Sequence, residues 1–261
     1  MMSQIPKVIH YGWFGGKEKS KFIKKCIASW KRYLPDYEIK EWNESNFPFQ
    51  NFPFAREAYE AHKYAFVSDY LRTYVMYHYG GIYFDTDIEV MENFENKLKG
   101  AEFVIAFERP DTLMTGFMAA VSGNQIMKQF LAYYDNISFY NEEGQMRLTP
   151  NTDLLGKLAM QFGMTPNGKY QELPGGIRIY PNEVFGGYNV YDMIYTITEN
   201  TVVVHHYTAS WRTFWEEIPV KTKKLFLKLF GVERVIVLCV NSNIKSKVIG
   251  NDTKKIHETD N

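Results

Sequence analysis

The sequence has 261 residues, 45% of them hydrophobic, so it can bury the core of one large α/β domain or two small ones. Basic and acidic residues each number 30, which gives a formal net charge of zero. A protein that binds duplex nucleic acid usually carries a basic excess, so we expect no nucleic-acid partner. A neutral chain can still bind a pyrophosphate locally, through a metal ion, a basic side chain or a helix N-terminus.

The cysteines and the apolar runs bear on the cellular compartment. Cys26 and Cys239 provide neither a disulfide framework nor the spacing of a zinc site, which favours free thiols in a reducing compartment. The first ten residues lack the pattern of a signal peptide. The longest apolar run near the C-terminus, residues 235–240, is too short to span a bilayer. We therefore expect a cytoplasmic protein.

The predicted elements alternate between strand and helix along the chain. In order they are a strand at 7–11, a helix at 20–33, a strand at 37–42, one or two helices at 55–79, a short buried strand at 82–84, a strand at 101–107, helices at 126–134 and 151–162, and strands at 177–180 and 201–205. This order predicts an α/β fold with a mostly parallel central sheet. Ligands of such sheets bind outside the carboxyl ends of the strands.

Two aspartates follow the short buried strand. Asp85 and Asp87 are two residues apart, so in an extended chain their side chains point to the same side. Carboxylates in this arrangement suit Mg²⁺ or Mn²⁺, which prefer oxygen ligands and keep positions open for phosphate. The alternative is a solvated acidic turn, but the apolar residues before Asp85 leave the two charges uncompensated unless something binds them.

The helix before these aspartates carries a second charged pair. Asp69 and Arg72 are three residues apart and share one helix face. They could form only a local ion pair at the surface. Because the helix runs into Gly80-Gly81 and the acidic strand, they could also bind sugar hydroxyls and neutralise the carboxylates.

A third segment follows the last predicted strand. There a β-branched run ends in His205 and His206, and Ser210 and Trp211 follow within a short loop. One histidine could complete a metal site, and the serine and indole could donate to a phosphate. Taken alone, an ordinary pair of histidines and a core tryptophan explain the segment better.

Several ordered segments together resemble glycosyltransferase family 32, the family with an Asp-x-Asp sugar-binding region. They are Ile-Pro-Lys-Val-Ile-His-Tyr-Gly-Trp-Phe-Gly-Gly at 5–16, Ser-Trp at 29–30, Pro-Asp-Tyr at 35–37, Ser-Asp-Tyr-Leu-Arg at 68–72, Gly-Gly-Ile-Tyr-Phe-Asp-Thr-Asp at 80–87 and His-His-Tyr-Thr-Ala-Ser-Trp at 205–211. The resemblance implies a GT-A fold, a Rossmann-like single domain that binds a nucleotide sugar with Mn²⁺ or Mg²⁺. The family includes yeast-type α-mannosyltransferases and bacterial surface-polysaccharide enzymes. The resemblance therefore also implies a transfer that retains the anomeric configuration of the sugar.

The resemblance also implies roles for individual residues. Trp13 would stack on the nucleobase, with Tyr11 and Gly12 along the same edge. Asp69 and Arg72 would contact the donor sugar or its phosphate. Asp85 would contact sugar or ribose hydroxyls and bind the metal, and Asp87 would bind the metal directly. His206, or alternatively His205, would contact the metal. Ser210 and Trp211 would close over the diphosphate.

The donor and acceptor are expected in general terms. A UDP-sugar is our first expectation for the donor and GDP-mannose the second, and the acceptor is a glycan or a lipid-linked oligosaccharide in polysaccharide biosynthesis. We assign residues 1–218 to the catalytic domain and 219–261 to a basic amphipathic helical extension with a polar tail, which could contact an anionic membrane on its inner face.

Two other interpretations compete with a transferase. A phosphatase of the haloacid-dehalogenase type also uses Asp-x-Asp after an apolar strand, but Ile88 and Glu89 follow here instead of a small residue and Thr or Val. A non-catalytic protein that binds sugar nucleotides is the other. Release of phosphate from phosphomonoesters would support the first, and binding of a nucleotide sugar without hydrolysis or transfer would support the second.

Overall fold

The structure is a computed structural model that describes residues 4–192 and 194–208. By internal packing the chain divides into a larger unit, Met1–Asn189 with Ile194–Thr208, and a smaller one, Val190–Met193 with Ala209–Asn261. The fold and the site described here belong to the larger unit. The predicted helical extension and the predicted domain boundary at residue 218 lie outside the described residues and stay predictions.

Helices and strands alternate along the described chain, as the sequence predicts. The helices are α1 (Lys21–Tyr33), α2 (Pro53–Glu60), α3 (Tyr64–His78), α4 (Glu95–Leu98), α5 (Gln125–Asp135), α6 (Asn151–Gln161) and α7 (Asn182–Phe185), with a 3₁₀ turn at Phe49–Asn51. The strands are β1 (Val8–Gly12), β2 (Glu38–Trp42), β3 (Gly81–Phe84), β4 (Ile88–Val90), β5 (Phe103–Arg109), β6 (Thr112–Ala120), β7 (Gln171–Leu173), β8 (Ile177–Tyr180), β9 (Tyr188–Asn189), β10 (Ile194–Tyr195) and β11 (Val203–His205). In this part of the chain, no helix is long and apolar enough to cross a membrane.

A seven-stranded sheet in the order β2-β1-β3-β6-β5-β8-β7 forms the centre of the larger unit. Five strands run in one direction, while β6 and β7 run against them, so the predicted α/β fold with a mostly parallel sheet is confirmed. One apolar core packs the sheet against α2, α3, α5 and α6, and a second packs its other face against α1, β4, α7 and β11. Two small antiparallel pairs, β9 with β10 and β4 with β11, complete the unit.

The turn between α3 and β3 depends on its two glycines. Gly80 and Gly81 both have positive φ angles, +66° and +97°, which other residues rarely adopt. A Cβ atom on Gly81 would lie 2.5 Å from the carbonyl oxygen of Val8 on the neighbouring strand. Only glycine therefore allows the chain to leave α3 and enter the sheet directly, which brings Asp85 to the end of β3.

The stretch at 55–79, predicted as one or two helices, is two, because the chain leaves helical geometry at residues 61–63 and His62 has a φ of +56°. Several short elements were not predicted, namely β4, α4, β7, α7, β9 and β10. β6 was not predicted either, although it is the longest strand of the described residues and every residue in it is buried. An all-buried strand lacks the alternation that identifies a half-exposed one.

His10 is a buried histidine in the middle of β1 and is only 1% exposed. Its Nδ1 accepts a hydrogen bond from the Trp42 indole at 3.0 Å, so its Nε2 carries the proton that is donated to the Gly80 carbonyl oxygen, also at 3.0 Å. Burial lowers the pKa of His10 from 6.5 to about 4. The ring is therefore neutral and ties β1 to β2 and to the α3–β3 turn.

The buried neutral ring of His10 makes the stability of the fold depend on pH. Below pH 6.5 the unfolded chain protonates His10 while the folded chain does not, so stability falls as the pH drops from about 6.5 to about 4. At pH 5 this loss is about 2 kcal/mol relative to pH 7.5. We expect the stability difference between wild type and His10→Gln, measured by urea unfolding, to shrink by that amount over this range. A difference independent of pH would show that His10 does not stay neutral in the folded state.

Candidate active site

The site lies at the carboxyl ends of the neighbouring strands β1 and β3. Trp13 follows β1 and Asp85 follows β3, and β1 and β3 pair in parallel. The amide of Asp85 donates to the carbonyl oxygen of Gly116 on β6 at 2.8 Å. Three adjacent strands therefore fix the backbone beneath the site.

Arg72 is the buried cation at the centre of the site, with a side chain that is 6% exposed. Its Nη1 donates to the carbonyl oxygen of Thr115 at 2.7 Å. Its Nη2 lies 3.0 Å from Asp85 Oδ1 and 3.2 Å from Asp69 Oδ1. The guanidinium also lies over the ring of Tyr83, whose hydroxyl donates to Asp85 Oδ1 at 3.2 Å. Arg72 thus links the predicted pair Asp69–Arg72 to the first aspartate of the Asp-x-Asp segment.

Asn151 holds Asp69 from the other side and was not predicted as a site residue. Its Nδ2 donates to Asp69 Oδ1 at 2.8 Å, and its Oδ1 accepts from the Thr115 hydroxyl at 2.9 Å. Burial raises the pKa of Asp69 to about 6, although Arg72 opposes the shift. The only sequence signal for Asn151 is its position after Pro150 at the start of α6, which does not indicate a binding residue.

Asp87 is almost fully enclosed by residues of the last described segment. Its Oδ1 lies 3.2 Å from His205 Nε2, and its Oδ2 accepts from the amide and hydroxyl of Thr208 at 2.7 and 3.0 Å. Burial alone would raise the pKa of Asp87, but His205 and Thr208 outweigh it and hold that pKa below its ordinary value. Asp87 therefore stays ionised.

The two predicted histidines lie in different surroundings. His205 ends β11 beside Asp87, whose charge raises the pKa of His205 against the effect of burial. His206 faces away, with its Nε2 3.0 Å from Glu89 Oε2 and its Nδ1 2.7 Å from the Tyr195 hydroxyl. The structure brings the imidazole of His205, the alternative ligand, next to the Asp87 carboxylate, whereas His206 reaches Asp87 only through its backbone amide.

The missing side chain of Gly116 lets Asp85 and His205 pack closely over its backbone. A Cβ atom on Gly116 would lie 2.6 Å from His205 Cε1 and 3.0 Å from Asp85 Oδ2, so a larger residue would displace one of them. His205 Nδ1, which is buried and without a hydrogen-bond partner, would lie 3.0 Å from the same Cβ position. As the side chains stand, no three His, Cys, Asp or Glu residues in the described ranges are arranged to hold a metal ion. The donor atoms nevertheless suit a hard divalent cation, and His205 Nδ1 is an unused ligand atom.

The residues predicted for the nucleobase lie one strand away. Trp13 borders a cavity of about 320 Å³, together with Lys19, Glu41 and other residues of the β1–α1 and β2 loops. Tyr11 is buried against Trp30 and donates from its hydroxyl to Glu41. Gly12 lies close to the side chains of α3, where a Cβ would be 2.8 Å from Leu71 Cδ2. Ser210 and Trp211 lie outside the described residues.

Comparison with known sequences identifies the region that contains Asp85 and Asp87. Residues 20–104 match the model of the glycosyltransferase sugar-binding region containing the DXD motif. Two curated relatives from Schizosaccharomyces pombe are inositol phosphoceramide mannosyltransferase 3, 32% identical over 32% of this chain, and inositol phosphoceramide mannosyltransferase 1, 24% identical over 54%. Residues 20–104 of this chain are therefore similar to the sugar-binding region of family 32-type glycosyltransferases. The chain spans 24% and 45% of those two relatives, less than half of each.

Solved structures of glycosyltransferases are similar to this chain at low sequence identity. The PaToxG glycosyltransferase is 21% identical with a TM-score of 0.48, over 61% of this chain and 70% of its own. The galactosyltransferase LgtC, solved with donor and acceptor sugar analogues, is 14% identical with a TM-score of 0.42, over 92% and 99%. In this chain the region with the DXD motif lies in an α/β fold with a mostly parallel central sheet.

A methyl group at Gly116 tests whether ligand binding needs Asp85 and His205 in their present positions. In Gly116→Ala the new Cβ must displace His205 or Asp85, so we expect binding of Mn²⁺ together with UDP, measured by calorimetry, to weaken by at least about tenfold, which is about 1.4 kcal/mol. Gly156→Ala is the matched control, since its Cβ meets no atom within 4 Å. Equal affinity in the two variants would show that binding does not depend on the positions of these two side chains.

Proposed function

We propose that this chain is a metal-dependent hexosyltransferase that moves a sugar from a nucleoside diphosphate to a glycan or lipid-linked acceptor. The observation that supports the proposal most is the cluster of Asp69, Arg72 and Asp85 at the carboxyl end of β3, with Asp87 two residues further on. A buried cation shared by two partly buried carboxylates keeps charged groups fixed in a site of reduced solvent contact, where they act more strongly on a charged ligand than in bulk water. The match to a sugar-binding region with the DXD motif supports the same activity.

Asp85 and Asp87 are the proposed ligands of Mn²⁺ or Mg²⁺. Asp85 Oδ2 lies close to Gly116 and to the unpartnered His205 Nδ1, and Asp87 is ionised. Between the proposed histidine ligands His206 and His205, the unpartnered Nδ1 favours His205. A bound divalent cation would supply positive charge against the diphosphate leaving group.

The donor spans two strand ends in this proposal. Trp13 stacks on the base at its cavity, and Tyr11 and Gly12 line the same edge. The diphosphate lies toward Asp85, at the end of the neighbouring strand, and adjacent strands are about 5 Å apart. A UDP-sugar is the first candidate and GDP-mannose the second. The names of the two mannosyltransferase relatives favour a hexose such as mannose as the transferred sugar.

The chain's own side chains orient the donor and stabilise its departing charge. Asp69 binds sugar hydroxyls, and its position is held by Asn151. Arg72 fixes Asp85 and adds positive charge near the phosphates. Ser210 and Trp211 close over the diphosphate in this scheme.

The proposed transfer retains the anomeric configuration by attack on the same face. The bond from the anomeric carbon to the β-phosphate oxygen breaks, the acceptor oxygen bonds to that carbon, and the departing phosphate takes the acceptor's proton. Stable trapping of a sugar on a protein side chain would contradict this mechanism and favour a covalent intermediate.

The remaining proposals concern the whole protein. We propose that residues 1–218 form the catalytic domain and that 219–261 are a basic extension. We place the protein in the cytoplasm, acting in polysaccharide biosynthesis with peripheral contact to an anionic membrane.

Replacement of the second aspartate tests the proposed activity. Asp87→Asn keeps the shape of the side chain but loses its charge, so we expect hydrolysis of the preferred nucleotide sugar with Mn²⁺ to fall at least about a hundredfold, or about 2.7 kcal/mol. A panel of UDP- and GDP-sugars, scored by slow hydrolysis without acceptor, first identifies the donor. Asp36→Asn, at an aspartate that is 73% exposed, is the control. Turnover at the wild-type rate in Asp87→Asn would contradict the assignment.

A further inference from the structure

Glu108 is a partly buried carboxylate at the carboxyl end of β5. Strands β3 and β5 run in the same direction, because both are antiparallel to β6, which lies between them. The end of β5 is therefore at the same edge of the sheet as Asp85, two strand spacings or about 10 Å away. A further carboxylate thus lies at the edge that carries the proposed donor site.

A β-bulge and the start of α7 fix the backbone at Glu108. The step from Phe107 to Arg109 on β5 covers two residues, whereas the matching step on β6 covers only one. Glu108 is the extra residue, and bulges beside active sites often re-aim a side chain. The side-chain amide of Asn182 on α7 donates to the Glu108 carbonyl oxygen at 3.0 Å. This position is therefore built by long-range contacts.

The same helix brings β11 to Glu108. The backbone amide of His205 donates to the carbonyl oxygen of Gly186, directly after α7, at 2.9 Å. The rings of His205 and Tyr207 stack with their centroids 3.7 Å apart. Burial raises the pKa of Glu108, while His205, Arg109 and the Tyr207 hydroxyl oppose the shift. Glu108, His205 and Tyr207 form one polar group, which we call the β5–β11 cluster.

Two polar atoms of the β5–β11 cluster have no hydrogen-bond partner among the residues that the structure describes. They are the Tyr207 hydroxyl and His205 Nδ1, and both are buried. Tyr207 also has a φ of +48°, a left-handed conformation that is uncommon outside glycine and that clusters at functional sites. Buried polar atoms in native proteins are nearly always hydrogen-bonded, so these two atoms suit bonds to a polar ligand.

We propose that Glu108 and the Tyr207 hydroxyl bind the acceptor, as a sugar that carries neighbouring hydroxyl groups. An ionised carboxylate only accepts hydrogen bonds, and its two oxygens can take two neighbouring hydroxyl donors. The phenolic hydroxyl can donate to or accept from a further sugar oxygen. A second phosphate group is disfavoured here, because the charges of Glu108, Asp85 and Asp87 would repel it.

This acceptor subsite places the two substrates side by side along the sheet. In the proposed function the donor occupies the ends of β1 and β3, so the end of β5 is the side from which an acceptor hydroxyl reaches the anomeric carbon. His205 lies between the two, with its Nε2 toward Asp87 and its ring against Tyr207. The inference rests on the proposed function, since the donor at Asp85 defines Glu108 as part of the acceptor side.

Transfer kinetics with simple acceptors test the proposal. The full chain receives its preferred nucleotide sugar and Mn²⁺, and the probes are the methyl glycosides of glucose, galactose and mannose. We expect Glu108→Gln to raise the KM of the best probe about thirtyfold, because hydrogen bonds to a charged group are lost, and Tyr207→Phe about fivefold. The effect should fall on KM rather than on kcat. Glu60→Gln and Tyr133→Phe, at exposed positions of α2 and α5, are the matched controls and should behave like wild type.

Several results would overturn the acceptor subsite. One is a wild-type KM in both variants, and another is transfer to none of the probes by a protein that hydrolyses its donor. An equally large loss of Mn²⁺–UDP affinity in calorimetry would make Glu108 a donor or metal residue instead. A lower free energy of unfolding in urea that accounts for the loss would make its role structural. If wild type hydrolyses no nucleotide sugar at all, the transferase assignment itself fails, and this inference with it.

Discussion

The buried guanidinium of Arg72 is the contact on which the arrangement of the site depends. It bridges Asp69 on α3, Asp85 after β3 and the carbonyl oxygen of Thr115 on β6. Burying a charge is costly unless it is paired and hydrogen-bonded, and here every side of the guanidinium has a partner. Loss of Arg72 would leave two partly buried carboxylates without the cation they share, so one side chain links the helix to both strands at the site.

The fold supplies the rest of the site by placing strand ends side by side. The glycine turn after α3 allows β3 to start against β1, and the pairing of β3 with β6 puts Gly116 beneath Asp85. Because Gly116 has no side chain, Asp85 Oδ2 and the His205 ring can both lie close to the position that its Cβ would take. Asp87 is then held by β11 and the loop after it, so residues more than a hundred positions apart meet at one point.

Much of this could be predicted from the sequence, and the exceptions have physical causes. The position of Asp85 at the end of a short buried strand could be predicted, because an apolar triplet lies between a glycine pair and the two aspartates. Strand β6 could not be predicted, since a strand buried along its whole length shows no alternation of polar and apolar residues. Asn151 could not be predicted either, because its contacts to Asp69 and Thr115 depend on where α6 packs in three dimensions. The choice between His205 and His206 depends on the register of β11 against β4, which pairs His205 with Ile88 and which no local pattern specifies.

The central claim is that paired aspartates hold a divalent cation beside the donor diphosphate. A crystal structure of the protein grown with UDP and Mn²⁺ tests it most directly. Our account predicts electron density for Mn²⁺ about 2.2 Å from carboxylate oxygens of both Asp85 and Asp87, with the uracil against Trp13. A nucleotide bound in the cleft while both aspartates point away from it, with no metal between them, would contradict the account.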